Sequence, residues 1–181
     1  NRLGVTSFTL EAWVKRAAGG LTMSTGTNGF DGGGGRPNGI YPVLTKGMGE
    51  GENPANLNTN YFMGITADGF VGVDFEDTAG GANHPAWGTT LVPVGEWHHI
   101  VGQKTSSALQ IYVDGVLRGS VNNTGTITYN KGPDFFIGKH GNGDTRYDFI
   151  GTIDEVCVYS QALSAQEVLA LFNSCGSDTT K

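Results

Sequence analysis

The sequence predicts an all-β sandwich of two antiparallel sheets with one short helix near its C-terminus. Three observations carry that reading. Thirty glycines among 181 residues supply the tight turns that frequent chain reversal needs, because glycine accepts positive φ without steric cost. Apolar and polar residues alternate with a period of two in several short runs. Asp114-Gly115 stands between two such runs, and a two-residue type I′ turn needs positive φ at both positions.

The elements follow in order. Phe8, Leu10, Ala12 and Val14 alternate with Thr9, Glu11, Trp13 and Lys15, the pattern of a half-buried strand. Further strands are expected at Val43–Lys46, Tyr61–Ile65, Phe70–Glu76, Trp97–Lys104, Leu109–Val113, Val116–Val121, Phe135–Lys139 and Thr152–Tyr159. Within the last of these, Ile153 and Val156 are three apart, so the alternation breaks and a β-bulge is expected at Asp154/Glu155. Ser164-Ala165-Gln166-Glu167 reads as a capping box, and Val168, Leu171 and Phe172 give the following helix one apolar face. Three stretches, 17–39, 47–60 and 77–93, lack strand character, and irregular segments of that length in a compact domain are usually functional or mobile. One domain over residues 1–176 with a tail at 177–181 accounts for the whole chain.

Five segments taken together carry a family likeness: Phe8-Thr9-Leu10-Glu11-Ala12-Trp13-Val14, Glu96-Trp97-His98-His99-Ile100-Val101, Leu109-Gln110-Ile111-Tyr112-Val113-Asp114-Gly115, Phe135-Phe136-Ile137-Gly138 and Gly151-Thr152-Ile153-Asp154-Glu155-Val156. The series resembles the laminin-G-like, concanavalin-A-like jelly-roll family. That resemblance implies a jelly-roll β-sandwich, and it leaves function open among sugar, protein and calcium binding, with a minority of enzymes on the same sandwich. Family members usually open with a strand ahead of the Phe8 segment, whereas only seven residues precede Phe8 here. The resemblance therefore implies an open sheet edge beside Thr152–Tyr159, and strand sharing with another chain or with the parent polypeptide.

Charge narrows the partner classes. A formal net charge of −6 without a lysine/arginine cluster matches neither nucleic acid nor an anionic membrane surface. Cations and neutral sugars suit it better. No apolar run is long enough to span a bilayer, and the opening residues Asn1-Arg2-Leu3-Gly4 do not read as a signal peptide. Cys157 in a strand and Cys175 after the helix are expected to close a loop of about 19 residues, against the alternative of two unpaired thiols, and a bridge worth roughly 3 kcal/mol implies an extracellular or cell-surface home.

Candidate ligating groups concentrate in the irregular segments. Glu50, Glu52, Asn53, Asn58 and Asn60 crowd one stretch, and Asp74 and Glu76 end a neighbouring strand. Calcium takes six to eight oxygens of these kinds, so calcium is the expected cofactor, against the alternative of a solvated polar loop. The family resemblance adds weight to calcium, and Asp154 joins as a family signature acid that holds loop amides or a structural cation. For a sugar, which offers one apolar face and a ring of hydroxyls, the candidates are His84, Asn83 and the aromatics Trp87 and Tyr41. His98 and His99 are adjacent on a strand and point to opposite faces, which argues against a shared metal. Catalysis has little support: neither a Glu-x-Asp-x-x-Glu triplet nor a Gly-x-Ser-x-Gly elbow is present. The reading is a non-catalytic binding module for a glycan or partner surface. The alternative is a structural or adhesion domain of a larger surface protein or fibre, and a glycoside hydrolase or lyase comes third.

Overall fold

A computed structural model describes residues 3–30, 39–47, 59–78, 80–127, 134–141 and 143–175. The elements run β1 (Phe8–Arg16), β2 (Ile40–Gly47), β3 (Thr59–Thr66), β4 (Phe70–Asp74), β5 (Ala86–Leu91), β6 (Trp97–Lys104), β7 (Ala108–Val113), β8 (Val116–Asn122), β9 (Phe135–Ile137), β10 (Gly151–Tyr159) and α1 (Ala165–Cys175). Two five-stranded antiparallel sheets result, one in the order β10-β1-β6-β7-β8 and the other β5-β4-β3-β2-β9. This is the jelly-roll sandwich that the sequence predicts.

Alternation along the strands builds the core. Leu10, Ala12 and Val14 from the first sheet meet Tyr61, Met63, Ile65, Val71 and Val73 from the second, all buried. Burying each such side chain stabilises by roughly 1.5–3 kcal/mol, which makes this interface the main support of the fold. The outer faces are covered as well. Leu163 and Val168 of the helical segment close over Val101 and Tyr112, and Phe172 stacks on Trp13 with ring centroids 5.7 Å apart. On the second sheet, Met23 and Phe30 cover Ile40 and Phe62.

Local signals place the turns. Asp114 and Gly115 have φ of 52° and 74°, so the β7–β8 hairpin is the expected I′ turn. Ser164 Oγ and the Ser164 amide both donate to Glu167 Oε2, and the Glu167 amide reaches back to Ser164 Oγ, so the capping box starts α1 as its sequence requires. The β1–β10 register shifts between Glu11 and Trp13, and Glu155 has φ of 52°, which is the bulge that the broken alternation predicts. One strand is missed by sequence reading. In β5, Trp87-Gly88-Thr89-Thr90 shows no clean alternation, and its Gly88 packs against Ile111 and Arg118 of the opposite sheet.

The two adjacent histidines do separate. His99 is fully buried under α1 and bonds Glu11 Oε1 at 3.0 Å, while His98 bonds Asp114 at 2.9 Å with 14% of its side chain exposed. The expected bridge between Cys157 and Cys175 is not formed, and Cys157 is a free, exposed thiol. The expectation placed Cys175 in the chain beyond the helix, but α1 runs through Cys175. Cys157 is accordingly expected to react with a thiol reagent in the folded, unreduced protein within minutes. Reaction only after denaturation would contradict its placement.

Candidate functional site

The site is built at the end of the sandwich where β4 leaves and β5 enters the second sheet. Because Tyr61 and Met63 join the core, Asn60 and Phe62 face outward, and Asp74, paired with Phe62, lies on the same outer face. There the Thr25–Phe30 turn folds over Asp74 and buries it completely. Its Oδ1 accepts the amides of Phe75 and His84, each at 2.8 Å, and its Oδ2 accepts Thr25 Oγ1 and Asn83 Nδ2. Gly29 has to be glycine for this to close, since a Cβ there would stand 2.1 Å from Thr25 Oγ1. Burial pushes Asp74 up to about 7 against the pull of its four donors.

Asp74 thereby fixes the two residues that lead to the rim. Asn83 is buried through its bond to Asp74, and its Oδ1 has no hydrogen-bond partner. His84 comes next, its ring stacked on Phe75 at 4.9 Å and its Nε2 2.7 Å from Asp77 Oδ2. Burial favours a raised Asp77 value, but the His84 bond and the Gly80 amide outweigh it and hold the carboxyl below its usual range. His84 Nε2 is held at the Asp77 carboxylate, which leaves Nδ1 for another partner. The His84 side chain is 27% exposed, so this fixed polar group meets solvent.

A second loop completes the rim. Asp77 bridges to Ile127, and the Thr78 amide donates to the Thr126 carbonyl at 2.9 Å, which joins Asp77 and Thr78 to Thr126 and Ile127. Asn123 Oδ1 accepts the Gly125 amide, and a Cβ on Gly125 would touch Asn123 Oδ1, His84 Nε2 and Phe75 Cζ at 3.0–3.3 Å. Thr78, Thr124 and Thr126 are exposed around this point. Beneath it Lys104 is almost fully buried, its Nζ 5.2 Å from the Phe75 centroid and bonded to the Thr105 carbonyl, and burial holds its pKa below the ordinary value.

The residues singled out from the sequence scatter more widely than expected. Asn83 and His84 meet at the rim, but Trp87 lies on the outer face, edge-on to Phe30 at 6.3 Å. Tyr41 lies on β2, three strands from Trp87 and thus roughly 14 Å away across the sheet. Glu76 Oε2 accepts the Thr59 amide at 2.7 Å, next in the chain to Asn60, so those two expected ligands lie at the same end of the second sheet. Asp74 has all its lone pairs committed to protein donors, and Asp154 is exposed on β10 of the other sheet, accepting the Glu155 amide. Neither fits a cation shared with Glu76. Glu50, Glu52, Asn53 and Asn58 lie outside the described residues, and no three His, Cys, Asp or Glu side chains converge to hold a metal among the described ones. Asp77 and Asn123 are not among the site candidates chosen from the sequence, because neither stands beside His84 in the chain.

A profile of the concanavalin A-like lectin/glucanase superfamily, Laminin_G_3, matches residues 1–169. The chain belongs to this family. Among solved structures, this lectin/glucanase sandwich is similar to the CBM40 of the Ruminococcus gnavus IT-sialidase, bound to α2,3-sialyllactose, with 18% identity, a TM-score of 0.70, and coverage of 94% of this chain and 84% of that one. It is also similar to domain 4 of AbnA, an extracellular arabinanase of Geobacillus stearothermophilus, in complex with arabinotriose, at 19% identity and TM-score 0.57, covering 92% of this chain and 66% of that one. Trypanosoma rangeli sialidase matches at 21% identity and TM-score 0.54, over 94% of this chain but 23% of the sialidase. No curated protein matches. At these identities the likeness establishes the sandwich, and the neighbours include both carbohydrate-binding modules and sialidases.

Proposed function

We propose that the protein is a non-catalytic, extracellular or cell-surface glycan-binding module whose ligand sits on the rim formed by Asp77, Thr78, His84, Asn123 and Thr126. The observation that carries this is the His84–Asp77 pair. It presents an imidazole whose orientation is already set, beside an Asn side chain and three threonines, on loops locked to each other by backbone hydrogen bonds. Such a surface meets a ring of sugar hydroxyls without first having to be ordered, which is where recognition of a polar ligand otherwise loses affinity. The carbohydrate ligands of two structural neighbours support the reading. Asp74 itself is sealed and saturated, so it can neither attack a sugar nor protonate one. The test is binding to a glycan array, with His84→Ala as the comparison and release of reducing sugar as the check for hydrolysis.

Calcium is a separable part of the proposal, supported by Glu76 and Asn60 lying at the same end of the second sheet. A bound calcium at one hundred times its dissociation constant stabilises the fold by about 2.7 kcal/mol. The melting temperature is expected to rise in excess calcium relative to chelator. An unchanged temperature removes calcium from the account and leaves the rim site standing.

A further inference from the structure

Asp74 is sealed by one short strap of chain, residues 24–30, whose two ends are anchored. Met23 and Ile40 exchange backbone hydrogen bonds at 3.0 Å, and Phe30 is fully buried with Ile40 and Phe62. Between these anchors the closure is polar. The Thr25 amide donates to the Phe30 carbonyl at 3.1 Å, the Gly29 amide to the Gly26 carbonyl at 2.9 Å, and the Phe30 amide to Thr25 Oγ1 at 2.8 Å. Thr25 Oγ1 in turn donates to Asp74 Oδ2 and ties the strap to what it covers. Asn28 holds a φ of 64°, a left-handed conformation that costs any residue with a Cβ. No residue from 17 to 30 is charged, so the strap brings no counter-ion to the carboxyl.

Ionisation sets this closure against itself. Asp74 is completely buried, its four partners are uncharged donors, and Asn83 Oδ1 beside it has no hydrogen-bond partner. The titratable residues on the enclosing segments are Glu76 and Asp77, which follow Asp74 in the chain, and His84; from β3 it is Phe62 that pairs with Asp74. The two carboxylates act with burial against a charge on Asp74. We propose that residues 24–30 are a pH-gated strap, closed over Asp74 while its carboxyl carries the proton and biased open by ionisation, which admits water to Asp74 and Asn83 Oδ1 and releases the His84 amide. The anchors at Met23 and Phe30 hold, so the opening is local. In the closed form the carboxyl is raised from 3.8 to about 7, so the advantage of closure is complete below 3.8, shrinks as pH rises, and is gone above about 7. Asn83 and His84 adjoin the rim, whose order there falls with the strap. The device itself stands whether or not the rim binds a glycan.

Amide hydrogen exchange of the intact protein at several pH values, corrected for the intrinsic pH dependence of exchange, is the test. The amides of Thr25, Gly29, Phe30 and His84 are expected to lose at least about tenfold in protection between pH 5 and pH 7.5 and to level off above it, while those of Met23, Ile40, β6 and β7 keep theirs. Asp74→Asn cannot ionise and is expected to give a flat profile. Thr25→Val, which removes the bond from strap to carboxyl, is expected to expose the same amides already at pH 5. Should the Asn variant fail to fold, the wild-type profile and Thr25→Val still decide the matter. Strap protection that does not change with pH, the same acceleration in Asp74→Asn, strap amides in Thr25→Val as protected as in wild type, or a loss shared equally by Met23 and β6 would each overturn the proposal.

Discussion

Asp74→Ala is expected to destabilise the protein by about 3–5 kcal/mol at pH 5, a large part of the 5–15 kcal/mol that holds a typical domain together. Four buried donors lose their acceptor at once: two backbone amides, the Thr25 hydroxyl and the Asn83 amide. Only the hydroxyl can rotate to another partner. Asp74→Asn should behave differently, because its carbonyl oxygen still accepts from Phe75 and His84. Its new NH₂ can donate to Asn83 Oδ1, now without a partner, once the Asn83 amide reverses. The cost of Asn is expected to be about 1 kcal/mol or less at neutral pH.

The pH dependence has a definite sign. Asp74 is raised from 3.8 to about 7 on folding, so its contribution is complete below the unfolded value and is lost as pH rises through about 7. Across that window the wild type gives up on the order of 4 kcal/mol that Asp74→Asn does not, so the two stability curves converge or cross on going from pH 4 to pH 8. Denaturant unfolding at several pH values checks this. Parallel curves for wild type and Asn variant would show that the carboxyl is ionised throughout, and a harmless Ala variant would remove Asp74 as the organiser of the site.

Much of the fold is readable from local chemistry. The hairpin at Asp114-Gly115, the capping box at Ser164 and Glu167, and the β10 bulge each depend on residues within a few positions of one another, where sequence rules act. The site is less legible because its parts are distant in sequence. Thr25 meets Asp74 across 49 positions, and nothing in the Thr25 segment announces that it folds over a carboxylate. Asp74 and Glu76 look alike as acidic strand-end residues, yet one is enclosed by four donors and the other tethers the Thr59 amide. The aromatic candidates stand apart for a related reason. Trp87 and Tyr41 are each near a turn, but strand order, which the sequence does not state, sets them three strands apart.

His84→Ala is expected to reduce glycan affinity at least tenfold, because it removes the fixed imidazole at the centre of the rim and frees Asp77 from the bond that orients it. The fold should survive. His84 is bound to Asp74 through its backbone amide, which alanine keeps. Tyr41→Ala, far across the sheet, should bind within a factor of two of wild type, and the folded state of each variant is confirmed by its melting temperature.

The most direct measurement is therefore a glycan array on the wild type, followed by calorimetric titration of the strongest ligand against wild type, His84→Ala, Asp77→Asn and Trp87→Ala. Saturable binding that His84→Ala and Asp77→Asn both weaken tenfold or more, with Trp87→Ala affected less, is the predicted result. Binding that survives loss of His84 and is abolished by Trp87→Ala would place the site on the outer face of the second sheet and contradict the rim, and no binding to any glycan would contradict the proposed function itself.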